Sequence, residues 1–339
     1  MAKLGQRLGA WLFLLIAPFL PVFAARAAAE TLPPVIAVGD VHGDYDAYFA
    51  ILRAAGLIDA KGKWSGGKTV FVQLGDVPDR GPDTKKIIEH LMKLEKQAAR
   101  KGGRVEALIG NHEAMNVTGD LRYVTPEEYA AFATAKSKRL RDAYFRRNFA
   151  ALAEFYRGKD PALTDDGVKA AFDEATPPGY LEHRAAWGAT GKFGAWVASH
   201  DAVAQIGETL FVHGGIGAAY AASTRDAINE AVRTALINGG GAILEDDAGP
   251  LWHRGFAQES AAGEAELAAT LAAFGATRIV IGHTPQLDGI KALYGGRVIA
   301  ADTGASKAYG GTRSFLRIDQ TGIFANDNGV VTKLAAGAQ

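Results

Sequence analysis

Residues 69–81 read TVFVQLGDVPDRG. The run that opens this stretch is short, apolar and rich in β-branched residues, which is typical of a buried strand. A tight glycine-bounded loop follows at once and carries Asp76, Asp79 and Arg80. Open α/β sheets hold their ligands outside the carboxyl ends of their strands. The stretch therefore predicts a strand that ends at a ligand site.

The same pattern, an apolar run followed by a glycine-rich polar loop, occurs at four other places. These are PPVIAVGDVHG from Pro33, VEALIGNHE from Val105, TLFVHGG from Thr209 and RIVIGHTP from Arg278. Residues 46–57 and 83–100 carry apolar residues at helical spacing, so the first three strands are expected to form successive βα units. We therefore predict an α/β fold in which helices flank open sheets.

Between residues 117 and 195 the signals are helical. Thr125 suits an N-cap, Pro126 the first helical position and Glu128 the third residue after the cap. A helix rich in basic residues is expected to continue to about Arg157, before a loop with three prolines. We predict a mainly helical insertion at about residues 117–195 within a domain of residues 33–335. Its basic residues are interpreted as a solvated helix face.

Composition limits the classes of function. Among the 339 residues, 37 Lys and Arg balance 37 Asp and Glu, so no overall field attracts nucleic acid, and none is expected as a partner. The chain has no cysteine. Disulfides, thiolate metal ligands and a cysteine nucleophile are therefore excluded, and a metal ion must be held by oxygen and imidazole nitrogen.

The N-terminus resembles a bacterial secretory signal. Lys3 and Arg7 precede an apolar stretch at residues 8–24, and three alanines at 27–29 follow it. We expect residues 1–29 to be a signal peptide, and the mature protein to be periplasmic or secreted and free of the membrane. A retained anchor is the alternative, but the stretch is short and broken by proline for a bilayer span.

Each of the five polar loops offers a side chain that binds hard cations. These are Asp40 with His42, Asp76, Asn111, His213 and His283. Taken singly, each is as well explained by a turn or a structural hydrogen bond. Together they form the ligand set that two divalent cations need, with a central carboxylate as the natural bridge. Mixed oxygen and nitrogen ligands favour manganese, and also iron or zinc, over calcium.

In this order, GDVHG, GDVPDRG, GNHE, HGG and GHT resemble the motifs of the metallophosphoesterase superfamily, in particular its phosphoprotein phosphatase branch. The longer segments GNHEAMNVTGDLRYVTPEE and SHDAVAQIGETLFVHGGI are similar to those of bacterial Shewanella-like phosphatases. The resemblance spans about Val35 to Ser306. It implies a metallophosphoesterase-type fold, a β-sandwich or open sheets flanked by helices.

The resemblance also implies two metal ions and a role for each ligand. Asp40 and His42 would bind the first ion, and Asp76 would bridge the two. The second ion would be completed by Asn111, His213 and His283. A hydroxide that bridges the ions would attack the phosphate directly.

Further roles follow from the same resemblance. His112 would be the general acid toward the leaving oxygen, and Asp79 would orient it. Arg80, Arg254 and Asn111 would bind the substrate phosphate. Guanidinium groups suit this role because they match phosphate oxygens in a bidentate fork.

Several nearby polar residues are not assigned to metal binding, proton transfer or phosphate binding. Glu113 is interpreted as a structural acceptor, with an arginine as its expected partner. Asp302 is equally compatible with support of a ligating histidine and with a turn. The other histidines are interpreted as structural: His90, His183, His200 and His253.

The sequence therefore predicts a metal-dependent phosphomonoesterase that acts on phosphoproteins, with phosphotyrosine as one candidate, or on a small phosphoester. Hydrolysis of a nucleotide or diadenosine polyphosphate is the enzymatic alternative. A non-enzymatic module that binds phosphoproteins is disfavoured, because no expected ligand, acid or arginine is missing. Substrate choice depends on the insertion and the rim loops, and the oligomeric state is left open.

Overall fold

The computed structural model describes residues 32–335, and the expected signal peptide lies outside them. The strands of this part are β1 Val35–Val38, β2 Val70–Gln73, β3 Arg104–Ala107, β4 Val203–Ile206, β5 Thr209–Val212, β6 Arg278–Ile281, β7 Lys291–Leu293, β8 Val298–Ala300, β9 Ser314–Asp319, β10 Gly322–Asp327 and β11 Val330–Lys333.

The α-helices are α1 Tyr45–Ala54, α2 Thr84–Ala99, α3 Asn111–Thr118, α4 Pro126–Phe132, α5 Ser137–Lys159, α6 Asp165–Ala175, α7 Tyr180–Trp187, α8 Lys192–Val197, α9 Ala218–Ala221, α10 Arg225–Ile237 and α11 Ala261–Phe274. Two short 3₁₀ helices span Ala242–Leu244 and Tyr294–Gly296. Within the described range, no helix is long and apolar enough to cross a membrane.

The strands form two mixed sheets. The six-stranded sheet has the order β11-β10-β9-β1-β2-β3, and the five-stranded sheet has the order β4-β5-β6-β8-β7. In the first sheet β1, β2 and β3 are parallel, and in the second β5, β6 and β8 are parallel. Because each parallel set ends at one edge of its sheet, the loops after these strands are gathered rather than scattered.

Alternate residues of one strand contribute to two different apolar clusters. In β2, Val70 and Val72 belong to a cluster that also contains Phe211 of β5 and Val280 of β6, so the two sheets pack face to face. Between them in sequence, Phe71 belongs to the cluster that includes the helices. Side chains of a strand alternate between its faces, and both faces are buried here. The predicted α/β fold, with sheets stacked and flanked by helices, is confirmed.

Helices α4 to α8 lie between β3 and β4 in the chain. As the sequence indicates, Thr125 caps α4, and its hydroxyl accepts the Glu128 N–H at 3.1 Å. The single helix expected from this cap to about Arg157 is instead two helices, because α4 ends at Phe132 and α5 begins at Ser137. The Ser137 hydroxyl accepts the Thr134 N–H at 2.8 Å, which stabilises the break.

Candidate active site

The six predicted ligands lie together, just beyond the ends of the parallel strands. They follow β1 (Asp40 and His42), β2 (Asp76), β3 (Asn111), β5 (His213) and β6 (His283). All six are at least 95% buried. The first four ligands follow strands of the six-stranded sheet, and the last two follow strands of the five-stranded sheet. The two sheets therefore build the site together.

Asp76 lies at the centre of this group. Its Oδ2 is 3.8 Å from His42 Nε2, and its Oδ1 is 3.3 Å from His213 Nε2. Two clusters of possible ligand atoms, each within 4.8 Å of one another, share this carboxylate: His42, Asp76 and His112, and Asp76, His213 and His283. A carboxylate that presents one oxygen to each cluster has the geometry of a bridging ligand.

The remaining ligands are fixed around this carboxylate. His213 donates from Nδ1 to the Leu74 carbonyl at 2.8 Å, and its Nε2 lies 2.9 Å from Asn111 Oδ1. Asp40 Oδ1 accepts the backbone N–H of His283 at 3.2 Å, and Asp40 Oδ2 is 3.9 Å from His42 Nε2. Backbone contacts of this kind orient side chains before any ligand arrives.

The electrostatics of the site fit divalent cations. Burial lowers the pKa of His42 to about 3 and that of His283 to about 2, so both rings are neutral, which is the form that binds metals. The Nε2 atom of His283 is buried and has no hydrogen-bond partner among the described residues. An unpaired imidazole nitrogen in a buried carboxylate cluster is suited to a metal ion.

Negative charge is in excess around these rings. Burial and the nearby Asp302 and Asp76 carboxylates raise the pKa of Asp40 well above its usual value. Burial likewise raises the pKa of Asp302 to about 6. Burial by itself raises the pKa of Asp76, but the opposite effect of His213 and the other imidazoles is larger. The net result is a pKa well below the usual value of an aspartate. Cations would relieve the repulsion among these carboxylates.

The loops of the site carry unusual backbone conformations. Within these loops, five residues other than glycine have positive φ angles, namely His42 (39°), Asp76 (50°), Asp79 (72°), Arg80 (64°) and His283 (67°). Such residues are uncommon and cluster where a site needs a particular orientation. Close packing holds the loops in place. A Cβ on Gly43 would lie 2.4 Å from the Gly81 carbonyl oxygen, so the first two loops meet backbone to backbone.

A histidine and carboxylate pair lies beside the metal ligands. His112 donates from Nδ1 to Asp79 Oδ2 at 2.5 Å, and its Nε2 faces Asp76 Oδ2 at 3.8 Å. Burial by itself lowers the pKa of His112, but the opposite effect of the Asp76 and Asp79 carboxylates is larger. The net result is a pKa above the usual value of a histidine. The ring can therefore hold a proton next to the place where a substrate would bind.

The sequence did not single out Asn116, which completes this pair. Its amide donates to Asp79 Oδ1 at 2.9 Å and to the His112 carbonyl at 3.0 Å. Asn116 follows His112 by four residues on α3, so the two share one helix face. That spacing was visible in the sequence, but the position of Asp79 opposite it was not.

The Glu113 side chain links two loops by accepting hydrogen bonds from their backbone N–H groups. Its carboxylate accepts N–H groups from Gly110 at 2.9 Å, Asp76 at 2.9 Å and Val77 at 2.8 Å. It is thus an acceptor, as the sequence suggests, but its partners are backbone groups rather than the expected arginine. The loops after β2 and β3 are tied together by this side chain.

Replacing Glu113 with alanine is expected to lower the free energy of unfolding by at least about 3 kcal/mol, because three buried N–H groups lose their acceptor. Urea unfolding followed by circular dichroism measures this change. Glu127→Ala, which removes the same side chain from an exposed position of α4, should change the stability little. Equal midpoints for the two variants would contradict the role assigned to Glu113.

The two predicted arginines lie near different members of the site, because the Arg80 charge acts on His42 and His112 whereas Arg254 contacts His283. Arg80 follows Asp79, and its buried Nε has no hydrogen-bond partner among the described residues. Arg254 is exposed and donates to the His283 carbonyl at 3.1 Å and to the Thr284 hydroxyl at 3.0 Å. Both guanidinium groups are therefore close to the ligand cluster.

The other singled-out residues lie outside the ligand clusters. Asp302 accepts the Gly304 N–H at 2.9 Å, a turn contact, while its charge acts on Asp40. Three of the remaining histidines have hydrogen-bond partners of their own: His90 bonds the Tyr48 hydroxyl and the Gly62 carbonyl, His200 bonds the Trp196 carbonyl and Glu95, and His253 bonds Glu266. The buried His183 lies 3.6 Å from Glu128 without a hydrogen bond among the described residues.

Comparisons with known proteins agree with this fold. The calcineurin-like phosphoesterase family matches residues 33–287. Shewanella-like protein phosphatase 2 of Arabidopsis thaliana is 34% identical over 300 residues, 80% of this chain and 71% of that protein. An uncharacterised protein of Schizosaccharomyces pombe is 32% identical over 309 residues, 88% of this chain and 82% of that protein.

A solved structure gives the same result. The crystal structure of a cold-active protein-tyrosine phosphatase of a psychrophilic Shewanella species superimposes with a TM-score of 0.67. It is 26% identical and covers 89% of this chain and 80% of that one. The chain belongs to the calcineurin-like phosphoesterase family. The expected metallophosphoesterase resemblance is thus confirmed, and the protein is a phosphoester hydrolase that uses divalent metal ions.

Proposed function

We propose that this protein is a dinuclear phosphoprotein phosphatase that prefers phosphotyrosine. The observation that carries the proposal is the pair of ligand clusters that share Asp76, with the His112–Asp79 pair beside them. The names of similar proteins support the choice of substrate, because one relative is named a protein phosphatase and one solved structure a protein-tyrosine phosphatase.

The ligands divide into two sets in this proposal. Asp40 and His42 would hold the first ion, Asp76 would contribute to both, and Asn111, His213 and His283 would complete the second. We assign His112 to proton transfer rather than to metal binding. Its Nδ1 pairs with the Asp79 carboxylate, which supports a protonated ring, whereas His42 and His213 direct Nδ1 to backbone carbonyls. Manganese is the proposed metal, since the ligands combine oxygen with imidazole nitrogen.

When bound, two divalent cations supply an activated water as the nucleophile and positive charge for the phosphoryl oxygens. The residues of the chain do the rest. Arg80 and Arg254 hold the phosphate, and guanidinium can do so through two parallel hydrogen bonds. His112 gives the proton on Nε2 to the leaving oxygen, while Asp79 keeps the ring oriented through Nδ1.

Removal of the metal ions tests the proposal directly. Chelation and desalting should abolish hydrolysis of p-nitrophenyl phosphate, and Mn²⁺ should restore it more fully than Ca²⁺. Metal removal should also lower the melting temperature, because the cations bind only the folded chain and offset repulsion among the buried carboxylates. Full activity in a sample that metal analysis finds empty would refute the two-metal assignment.

A substrate panel tests the specificity. We expect faster turnover of a phosphotyrosine peptide than of the matched phosphoserine peptide, and little turnover of diadenosine tetraphosphate. The peptides should share one sequence, so that only the phosphorylated residue differs. Preference for the nucleotide would replace the phosphoprotein proposal, and preference for phosphoserine would correct the choice of residue.

We also propose that the protein is exported and acts in the periplasm or outside the cell. The support is the basic, apolar and small-residue pattern at residues 1–29. Expression with a C-terminal tag, cell fractionation and N-terminal sequencing would test it. A mature chain that begins near residue 30 in the periplasmic fraction is expected, and an intact N-terminus in the cytoplasmic fraction would contradict export.

A further inference from the structure

The segment between α3 and α4 brings Tyr123 against two residues of the site. The Tyr123 carbonyl accepts the backbone N–H of Arg80 at 3.0 Å, and the Arg80 guanidinium carbon lies 4.4 Å from the centre of the Tyr123 ring. The centre of this ring is also 4.9 Å from that of His112. Tyr123 therefore contacts both the proposed phosphate ligand and the proposed general acid.

A second tyrosine also lies close to the same guanidinium. The Tyr309 ring centre is 5.2 Å from the Arg80 guanidinium carbon and 5.5 Å from the His42 ring. Both tyrosines are half-buried, so each ring is partly open to solvent beside the site. Tyr123 precedes the helical region and Tyr309 follows β8, which means that two distant parts of the chain contribute to this arrangement.

Aromatic contacts orient a guanidinium without using its hydrogen-bond donors. A cation above an aromatic ring is held by electrostatic attraction and by stacking. Within the described residues, the buried Nε–H of Arg80 has no acceptor. A side chain held by rings rather than by carboxylates keeps its N–H groups for an incoming anion.

We propose that Tyr123, together with Tyr309, is a positioning residue that holds the Arg80 guanidinium in the orientation needed to bind phosphate. The inference rests on the proposed phosphatase function and on the role of Arg80 in it. It assigns a task to a residue outside the metal-binding motifs, on the segment that leads into the helical region.

The test is the inhibition constant of inorganic phosphate, measured against hydrolysis of p-nitrophenyl phosphate by the metal-loaded protein. Tyr123→Leu keeps an apolar side chain but removes the ring, and we expect phosphate to bind about 3- to 30-fold more weakly. Tyr123→Phe keeps the ring and should bind phosphate as the wild type does. Tyr144→Leu, on α5 and away from the site, is the matched control and should leave binding unchanged.

A double-mutant cycle separates positioning from a structural role. If Tyr123 acts through Arg80, Tyr123→Leu should weaken phosphate binding less than about 2-fold in an Arg80→Ala background. Melting temperatures identify any variant that has lost its fold. Unchanged phosphate affinity in a folded Tyr123→Leu protein would overturn the inference, as would additive effects in the cycle. A wild type without phosphatase activity would instead refute the proposed function.

Discussion

Replacing Asp76 with asparagine is expected to lower kcat for p-nitrophenyl phosphate by more than about 100-fold, since even changes to residues that merely support metal ligands cost about 10- to 100-fold. Asp76 directs one oxygen to His213 and the other to His42, so it is the carboxylate that both clusters share. An amide has one oxygen and no charge, and it cannot replace a carboxylate that bridges two cations.

This variant should retain its fold. Asparagine has nearly the same shape, and its oxygen can still accept the His112 backbone N–H that Asp76 Oδ1 accepts at 3.0 Å. Metal analysis should find fewer than two ions per chain. Asp226→Asn makes the same change at a side chain that is 83% exposed on α10, and it should leave both metal content and kcat unchanged. Full activity of Asp76→Asn would refute the shared-carboxylate assignment.

Replacing His112 with alanine is expected to lower kcat for phenyl phosphate by about 10²- to 10⁴-fold, the usual contribution of a general acid. The leaving phenol has a pKa near 10, like tyrosine, and departs poorly as an anion. Nitrophenol is a better leaving group, so its departure depends less on protonation of the leaving oxygen. The loss for p-nitrophenyl phosphate should therefore be clearly smaller.

The dependence of kcat on the leaving group is the informative measurement, across a series of substituted phenyl phosphates. The slope should be steeper for His112→Ala than for the wild type, and Asp79→Asn should share this steeper slope because Asp79 orients the ring. His200→Ala, whose ring bonds Trp196 and Glu95, is the control and should leave the slope unchanged. Parallel slopes for His112→Ala and the wild type would refute the general acid.

Much of the site could be predicted because the sequence places its ligands by a simple rule. Each ligand follows a short apolar run, and parallel strands end at one edge of a sheet. Asp40, Asp76 and Asn111 follow three parallel strands of one sheet and could thus be expected near each other, whereas the approach of His213 and His283 depends on how the second sheet packs. The fold class followed from the same runs, since both faces of the parallel strands had to be buried.

The parts that escaped prediction depend on contacts between distant segments. Asn116 and Tyr123 owe their contacts to Asp79 and Arg80, which only the folded chain places beside them. The break between α4 and α5 had no glycine or proline to mark it; it depends on a serine hydroxyl. The positive φ of Asp76 and its neighbours likewise results from tertiary packing, because local preference disfavours this conformation outside glycine.

The hydrogen bond between His283 and Asp40 has a consequence for the order of folding. It joins residues 243 positions apart, and both belong to the ligand group. Contacts across so long a segment form late, after their loop-closure entropy is offset by local structure. We therefore expect the two sheets to dock before the centre can take up its ions. Tight metal binding during refolding would then indicate that the whole chain has folded. A fragment that ends before β6 would not bind the ions tightly.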